Sequence, residues 1–292
     1  MRGGTASFYM IKGGNIMAEE CAGKSTCTEE SCEGCPSNTG GEPQSMLEPA
    51  NEYSCIRKVI GVVSGKGGVG KSMVTALLAN ALAADGKQVG IMDADITGPS
   101  IPRMYGIHGT ATGSDIGIDP RLTENNIRVI SMNLFLPSED TPVIWRGPII
   151  ANFVKQFWNE VVWGDLDYLL VDMPPGTGDV PLTVFQSSPV DGIVVVTSPQ
   201  DLVRLIVKKA VNMADEMKIP VLGLVENYSY MTCPDCGKKL YPFGESMVKK
   251  VAVEEGLVML GQVPIDPAIA AAADAGEFHK VENKYVNTAL LG

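Results

Sequence analysis

A glycine-rich run starting at residue 65 is the feature that most constrains how this chain can fold. Gly65 to Ser72 reads G-x-x-x-x-G-K-S, a pattern whose glycines let backbone N–H groups wrap a phosphate. The pattern has this meaning only between a strand and a helix. The apolar run Val59 to Val63 precedes it, and a stretch with helical apolar spacing follows it. The sequence therefore predicts a phosphate-binding loop at a helix N-terminus.

Each position of this loop has an expected role toward a nucleotide. Lys71 is expected to meet the outer phosphates, and Ser72 is expected to ligate magnesium. The other residues predicted to contact the nucleotide are Gly65, Lys66, Gly67, Gly68, Val69, Gly70 and Met73.

Two carboxylates follow later strand-like runs, Asp95 and Asp172. An open parallel sheet places its ligand crevice at the carboxyl ends of its strands. We expect Asp172 to hold magnesium through water and Asp95 to orient the attacking water or accept its proton. The alternative is that either aspartate only caps a helix, which is the commonest role at a strand end.

The rest of the chain from Arg57 onward alternates strand-like apolar runs with amphipathic helical stretches. This alternation predicts an α/β fold with a doubly wound, mainly parallel sheet. The expected strands are Val59 to Ser64, Val89 to Met92, Ile127 to Ser131, Tyr168 to Val171, Ile193 to Thr197, Val221 to Val225 and Val258 to Gly261. Helical spacing is clearest over Asp179 to Gln186, Gln200 to Lys218 and Glu245 to Glu255.

Composition narrows the classes of partner. The formal charge is −11 over 292 residues, without a dense Lys/Arg tract, which argues against nucleic acid or an anionic membrane as a partner. Apolar runs such as Val221 to Val225 have the length of strands, so no membrane span is predicted. Without the pattern of a secretory signal peptide, the chain is expected in the cytoplasm. Met17 is an alternative start.

Residues 1–55 differ from residues 56–292 in being rich in Gly, Ser, Thr, Glu and Cys with little apolar periodicity. They predict a flexible arm before a nucleotide-binding domain. Four of the seven cysteines lie within fifteen residues of this arm, at Cys21, Cys27, Cys32 and Cys35. They are candidate ligands of a second metal cluster, or else incidental cysteines of a disordered segment. Cys55 has no assigned role.

The remaining two cysteines form the pattern Cys233-Pro-Asp-Cys236. Two cysteines at this spacing can turn both sulfurs toward one metal, but they supply only half of a four-thiolate site. Zinc is one candidate metal, since the pattern also fits half of a zinc ribbon. A redox dithiol, which binds no metal, is another possible role for the pair.

The second lysine of the glycine-rich loop, Lys66, brings in a family. Lys66 to Ser72 resembles the deviant Walker A motif of the MinD, ParA and nitrogenase iron protein superfamily. Within it the chain is similar to the Mrp/ApbC group of iron-sulfur cluster carriers over about residues 57 to 280. The stretches that carry this resemblance are Asp93 to Ser100, Trp145 to Pro148, Trp163 to Asp179, Ile219 to Asn227 and Gly261 to Pro267.

The resemblance implies an ATPase that works as a homodimer, with Lys66 reaching the nucleotide of the other subunit. It also implies that Asn227 contacts adenine and that the Pro264 segment lines the base pocket. Cys233 and Cys236 would bind a bridging cluster, expected to be [4Fe-4S], destined for apo iron-sulfur proteins and cluster-assembly scaffolds.

Two other functions remain open at this point. A MinD/ParA-like positioning ATPase needs an amphipathic membrane helix or a basic face, and the stretch Val281 to Gly292 provides little of either. An electron-transfer ATPase like the nitrogenase iron protein takes its cysteine ligands from separate loops rather than from one C-x-x-C.

Overall fold

A computed structural model describes residues 47–95, 98, 100–136, 147–176, 178–199 and 203–291, without the side chains of residues 147–151, 179 and 180. The four arm cysteines Cys21, Cys27, Cys32 and Cys35 lie outside the described residues. The second cluster therefore stays a prediction.

Fourteen strands and seven α-helices make up the described part of the chain. The strands are β1 Ser54–Ile56, β2 Val59–Ser64, β3 Val89–Asp93, β4 Thr112–Ser114, β5 Gly117–Asp119, β6 Arg121–Leu122, β7 Arg128–Ser131, β8 Gly164–Leu166, β9 Tyr168–Asp172, β10 Gly192–Thr197, β11 Val221–Glu226, β12 Met231–Thr232, β13 Lys239–Leu240 and β14 Met259–Gln262. The helices are α1 Lys71–Ala84, α2 Ile101–Met104, α3 Gly147–Asn159, α4 Asp179–Ser187, α5 Val203–Glu216, α6 Val248–Glu254 and α7 Pro267–Asp274. Short 3-10 turns lie at Met132–Phe135, Phe278–Lys280 and Ala289–Leu291.

Eight of these strands form the central sheet in the order β14-β11-β10-β2-β9-β3-β7-β6. Every neighbouring pair is parallel except β6 with β7, at one edge. The prediction of a doubly wound, mainly parallel sheet is confirmed. All seven predicted strands are present, and β2 has the predicted limits.

The apolar runs are buried on both faces of the sheet, as parallel strands require. Every residue of β2, β3, β9 and β10 is buried. Helix α1 covers one face of these strands with Val74, Leu77 and Leu78, all fully buried. Strand β2 lies between β9 and β10, so the loop after it opens at the centre of the carboxyl edge, where an open α/β sheet binds its ligand.

Residues 47–55, which the sequence places in the arm, contact the rest of the domain. Strand β1 pairs in parallel with β8. The indole Nε1 of Trp158 donates to the carbonyl of Glu48 at 2.8 Å, and the Glu48 N–H donates to the carbonyl of Ser187 at 2.9 Å. The division at residue 55 stays a prediction, but this last part of the arm is ordered by contacts with the domain.

Among the described residues, the helices are all too short or too polar to cross a bilayer.

Candidate functional site

The phosphate-binding loop joins β2 directly to α1, as the motif predicts. Gly68 and Gly70 have φ angles of 79° and 74°, in the left-handed region that glycine adopts without strain. A side chain at Gly70 would place Cβ 2.2 Å from Nδ2 of Asn227. The loop therefore needs glycine at position 70 for conformation and for space.

A cavity of about 300 Å³ lies over this loop. Residues 67–73 line it together with Asp95, Ser100 and Pro175, whereas Gly65 and Lys66 are not among its lining residues. The N-terminus of α1, which begins at Lys71, lies at the cavity, and a helix N-terminus is suited to binding an anion. The predicted contacts of Gly65 and Lys66 with a nucleotide remain predictions.

Lys71 and Asp172 form a buried ion pair at the base of the cavity. Nζ of Lys71 lies 2.7 Å from Oδ1 of Asp172, and their side chains are 5% and 0% exposed. Oγ of Ser72 donates to Oδ2 of Asp172 at 2.5 Å. Lys71, which is predicted to meet phosphate, is thus paired with Asp172. Ser72 and Asp172, which are predicted to bind magnesium, are hydrogen-bonded to each other.

Thr75 is a site residue that the sequence did not reveal. Its hydroxyl lies 2.9 Å from Oδ1 of Asp172 and 3.1 Å from the carbonyl of Lys71. It lies one helical turn after Lys71, so it faces the same carboxylate. The signal available in the sequence was a polar side chain on the apolar face of α1.

Asp93 is a second buried acid that the sequence pattern quoted without assigning it a role. It is fully buried, and it accepts hydrogen bonds from the Ser131 hydroxyl at 3.1 Å and the Asp95 N–H at 3.2 Å. Burial, then the neighbouring charge of Asp172, raises the pKa of Asp93 well above its ordinary value, although Lys71 opposes this. A raised pKa favours the neutral, protonated form, so Asp93 adds less negative charge to the site than an exposed carboxylate would.

Asp95 lies at the cavity wall rather than in the core. Its Oδ2 is 3.8 Å from Nζ of Lys71, and its side chain is 14% exposed. A carboxylate with access to the cavity is placed where it can contact a water molecule or a ligand.

Asn227 lies beneath the loop. The residue is fully buried, and its Nδ2 donates to the carbonyl of Val69 at 2.8 Å. Its Oδ1 has no hydrogen-bond partner among the described residues, so it keeps an acceptor that could receive the amino group of adenine. Pro264 is buried next to Val263, whose carbonyl accepts from the Ser229 N–H at 2.9 Å. The base-contacting roles of both residues stay predictions.

Cys233 and Cys236 lie in the turn of a small hairpin, β12 to β13, which comes between β11 and α6 along the chain. The Cys233 N–H donates to the carbonyl of Lys238, and the Gly237 N–H donates to the carbonyl of Cys233, both at 2.9 Å. Gly237 has a φ of 70°. The turn brings the two cysteines to its tip, where Cys236 is exposed and Cys233 is half-buried.

The turn also prepares one sulfur as a ligand. Hydrogen bonds from the N–H groups of Cys236 and Asp235, followed by one from the Cys236 thiol, lower the pKa of Cys233. A thiolate is the form that binds metal. Among the described residues, no group of three or more His, Cys, Asp or Glu side chains is arranged to hold a metal ion, so Cys233 and Cys236 alone do not make a four-ligand site.

Comparison with known proteins decides the family. Residues 55–290 match the ParA family model of NUBPL iron-transfer P-loop NTPases. This chain belongs to that family. The resemblance drawn from the sequence is therefore confirmed.

Individual relatives agree with the family match. The chain is 52% identical over 224 residues to an iron-sulfur cluster carrier protein of Saccharolobus solfataricus, covering 76% of each chain. It is 44% identical over 265 residues to the iron-sulfur cluster carrier protein of Clostridium perfringens, covering 88% of this chain and 91% of the relative.

Solved structures support the same fold. A nucleotide-binding protein of Archaeoglobus fulgidus in complex with ADP superposes with a TM-score of 0.70 at 44% identity, over 77% of this chain and 88% of that one. The cell division ATPase MinD of Pyrococcus furiosus gives a TM-score of 0.54 at 20% identity, over 78% of this chain and 92% of that one, and so shows the fold alone.

Proposed function

We propose that this P-loop NTPase hydrolyses ATP and carries an iron-sulfur cluster, which two copies of the chain hold between them and pass to apo iron-sulfur proteins. The observation that carries the proposal is the hairpin turn, which holds Cys233 and Cys236 close together, partly or fully exposed, in a two-stranded sheet separate from the eight-stranded one. The family and the printed names of the relatives support iron-sulfur cargo.

The nucleotide half of the proposal rests on the geometry around Lys71. Its ammonium group would meet the outer phosphates, and residues 67–70 line the same cavity, where their backbone N–H groups would bind phosphate oxygens. The hard oxygens of Ser72 and Asp172 fit the ligand preference of magnesium, and they already lie 2.5 Å apart. Magnesium bound there would offset phosphate charge as the γ-phosphoryl group departs. Asp95 would position the attacking water.

The cargo half rests on counting ligands. One chain offers two thiolates at the hairpin, and a four-thiolate cluster requires two more. A two-fold axis beside the hairpin supplies them from an identical surface. Exposed apolar side chains of the same region would be covered by this second copy, namely Met231, Leu240, Tyr241, Phe243 and Met247.

Anaerobic reconstitution with iron and sulfide tests this proposal. Cys233→Ala and Cys236→Ala should each abolish the bridging cluster, because every dimer then loses two ligands, while ATP affinity stays unchanged. Cys55→Ala is the matched control, since Cys55 is exposed but lies on β1. Iron and sulfide are counted per dimer after size-exclusion chromatography under argon, alongside ATP binding.

The arm needs its own control because its cysteines could bind iron. Deleting residues 1–46 should preserve about four iron atoms per dimer, and it spares the contacts that residues 47–56 make with the domain. Full iron retention in Cys233→Ala lacking residues 1–46 would contradict a bridging cluster. Stoichiometric zinc in protein purified anaerobically from its native host would instead favour a structural zinc site.

A further inference from the structure

A single buried carboxyl group ties together both ends of the segment that carries the cysteines. We call residues 229–246 the cysteine segment. Glu226, the last residue of β11, is fully buried. It accepts hydrogen bonds from Ser229 Oγ at 2.8 Å, at the start of the segment, and from Ser246 Oγ at its end. Glu226 therefore links the two ends of the cysteine segment by hydrogen bonds.

A third donor joins this group to the edge of the sheet. Nε2 of Gln262, on β14, donates to Glu226 Oε2 at 2.5 Å and to Ser229 Oγ at 3.0 Å. Among the described residues, the side-chain donors to Glu226 are thus two hydroxyls and one amide. A buried polar group is costly to leave without partners, so movement of Glu226 would require its donors to move with it.

The residues that follow Glu226 reach the phosphate-binding loop. Asn227 donates to the carbonyl of Val69. A side chain at Gly70 would come within 2.8 Å of the Tyr228 hydroxyl. Tyr228 itself has a φ of 57°, a conformation that a tyrosine adopts only when its surroundings fix it. Three consecutive residues therefore connect the loop beneath the phosphates to the cysteine segment.

We infer that Glu226 is a positioning residue that couples the nucleotide bound at the phosphate-binding loop to the geometry of Cys233 and Cys236. Displacement of the loop around phosphates moves the Val69 carbonyl and with it Asn227. Glu226 passes that movement to Ser229 and Ser246 together, so the hairpin between them shifts as one body. This inference rests on the proposed function, because it assigns the residue through which ATP acts on the cargo site.

Ser246 provides the cleanest place to break this connection. It is not among the residues that line the nucleotide cavity, and its hydroxyl is hydrogen-bonded to Glu226 and to the Val248 N–H. Ser246→Ala removes one end of this link, and Ser246→Thr restores a hydroxyl at the same place. Glu226→Gln keeps the volume of Glu226 but adds a donor where three donors already converge. Thr123→Ala is a control for loss of a buried hydroxyl, since Thr123 follows β6 at the opposite edge of the sheet.

The test measures the rate at which iodoacetamide alkylates Cys236 in the full chain, with ADP or with the slowly hydrolysed analogue ATPγS. Peptide mass spectrometry resolves this cysteine from the others. We expect the two nucleotides to give rates that differ by about 5-fold or more in the parent protein. In Ser246→Ala and Glu226→Gln the ratio should fall toward one with nucleotide affinities unchanged, whereas Ser246→Thr and Thr123→Ala should keep the parent ratio.

The outcomes separate this inference from the function on which it rests. A parent ratio above one that persists in both Ser246→Ala and Glu226→Gln would overturn the coupling role and leave the carrier function intact. A parent ratio of one would overturn the coupling role, while the count of iron per dimer in the cysteine variants tests the carrier function separately. Lower nucleotide affinity in Ser246→Ala, without rescue by Ser246→Thr, would show a general structural effect and overturn the assignment.

Discussion

The phosphate site and the cysteine segment of this protein are built on opposite principles. Lys71 and Asp172 are buried and satisfied by each other and by neighbouring hydroxyls. Cys233 and Cys236 lie in an exposed turn, where their contacts come from the turn's own backbone. The partners of Asp172 come from its own chain, whereas the proposed cluster site would take two of its four ligands from a second chain. In the proposed function, ATP hydrolysis and cluster binding thus occupy different parts of one domain.

The largest effect is expected from the variant that removes the charge of Lys71 at the phosphate site. Lys71→Ala should lower ATP affinity about 100-fold or more, since it removes the charged group that faces the outer phosphates. It should also cost about 3–5 kcal/mol of stability, because Asp172 is left buried without its partner. Isothermal titration and chemical denaturation measure these two quantities separately.

The double variant Lys71→Ala with Asp172→Asn is the matched control for that change. It should regain most of the lost stability, since the uncompensated charge is gone, without regaining ATP affinity. Normal ATP affinity in the single variant would be incompatible with the phosphate-loop assignment.

A smaller effect is expected from changing Lys66. This variant tests whether ATP hydrolysis at the phosphate site depends on another subunit. Lys66→Ala should keep ATP affinity within about 3-fold and slow hydrolysis about 10-fold or more, if its ammonium group acts across the dimer interface on the transition state. Steady-state turnover and ATP-dependent dimerisation measure this. Lys87→Ala is the control, because Lys87 is exposed beyond the other end of α1. Parent-like turnover and dimerisation in Lys66→Ala would exclude the role in trans.

The smallest effect is expected at the cysteine pair, and it concerns the pKa of Cys233. Because N–H donors lower the pKa of Cys233, its alkylation by iodoacetamide should have a lower pH midpoint in the folded protein than in urea. The sign follows from the favoured thiolate: this contribution to folding is present above the unfolded pKa and is lost as the pH falls through the folded pKa. Equal midpoints in the two states would show that the turn does not activate this sulfur.

Local patterns in the sequence predicted much of this fold. The run Val59 to Ser64 gave β2 with its observed limits, because a strand buried on both faces is continuously apolar. Helical spacing over Gln200 to Lys218 found α5, although the helix itself is Val203–Glu216. Strand β1 was missed, since three residues beside a polar arm carry no periodicity and pair with β8 more than a hundred residues away.

The same limit applies to the candidate sites. The glycine-rich loop and the C-x-x-C were visible because their residues are adjacent in sequence. Thr75 and Glu226 were not visible, because their importance comes from partners brought together by the fold. Thr75 meets Asp172 across 97 positions, and Glu226 meets Gln262 across 36. Asp172 also ends a strand, but the glycine-rich motif gave it a context, whereas no motif in the sequence pointed to Glu226.

The supply of two thiolates by each chain makes cargo loading a matter of mass action in the proposed dimer. Where single chains predominate, the concentration of complete four-thiolate sites rises with the square of the chain concentration. Dilution alone would then release cargo, and abundant expression would retain it. The cellular dose of this protein, as much as its nucleotide cycle, would set how much cluster is held in reserve.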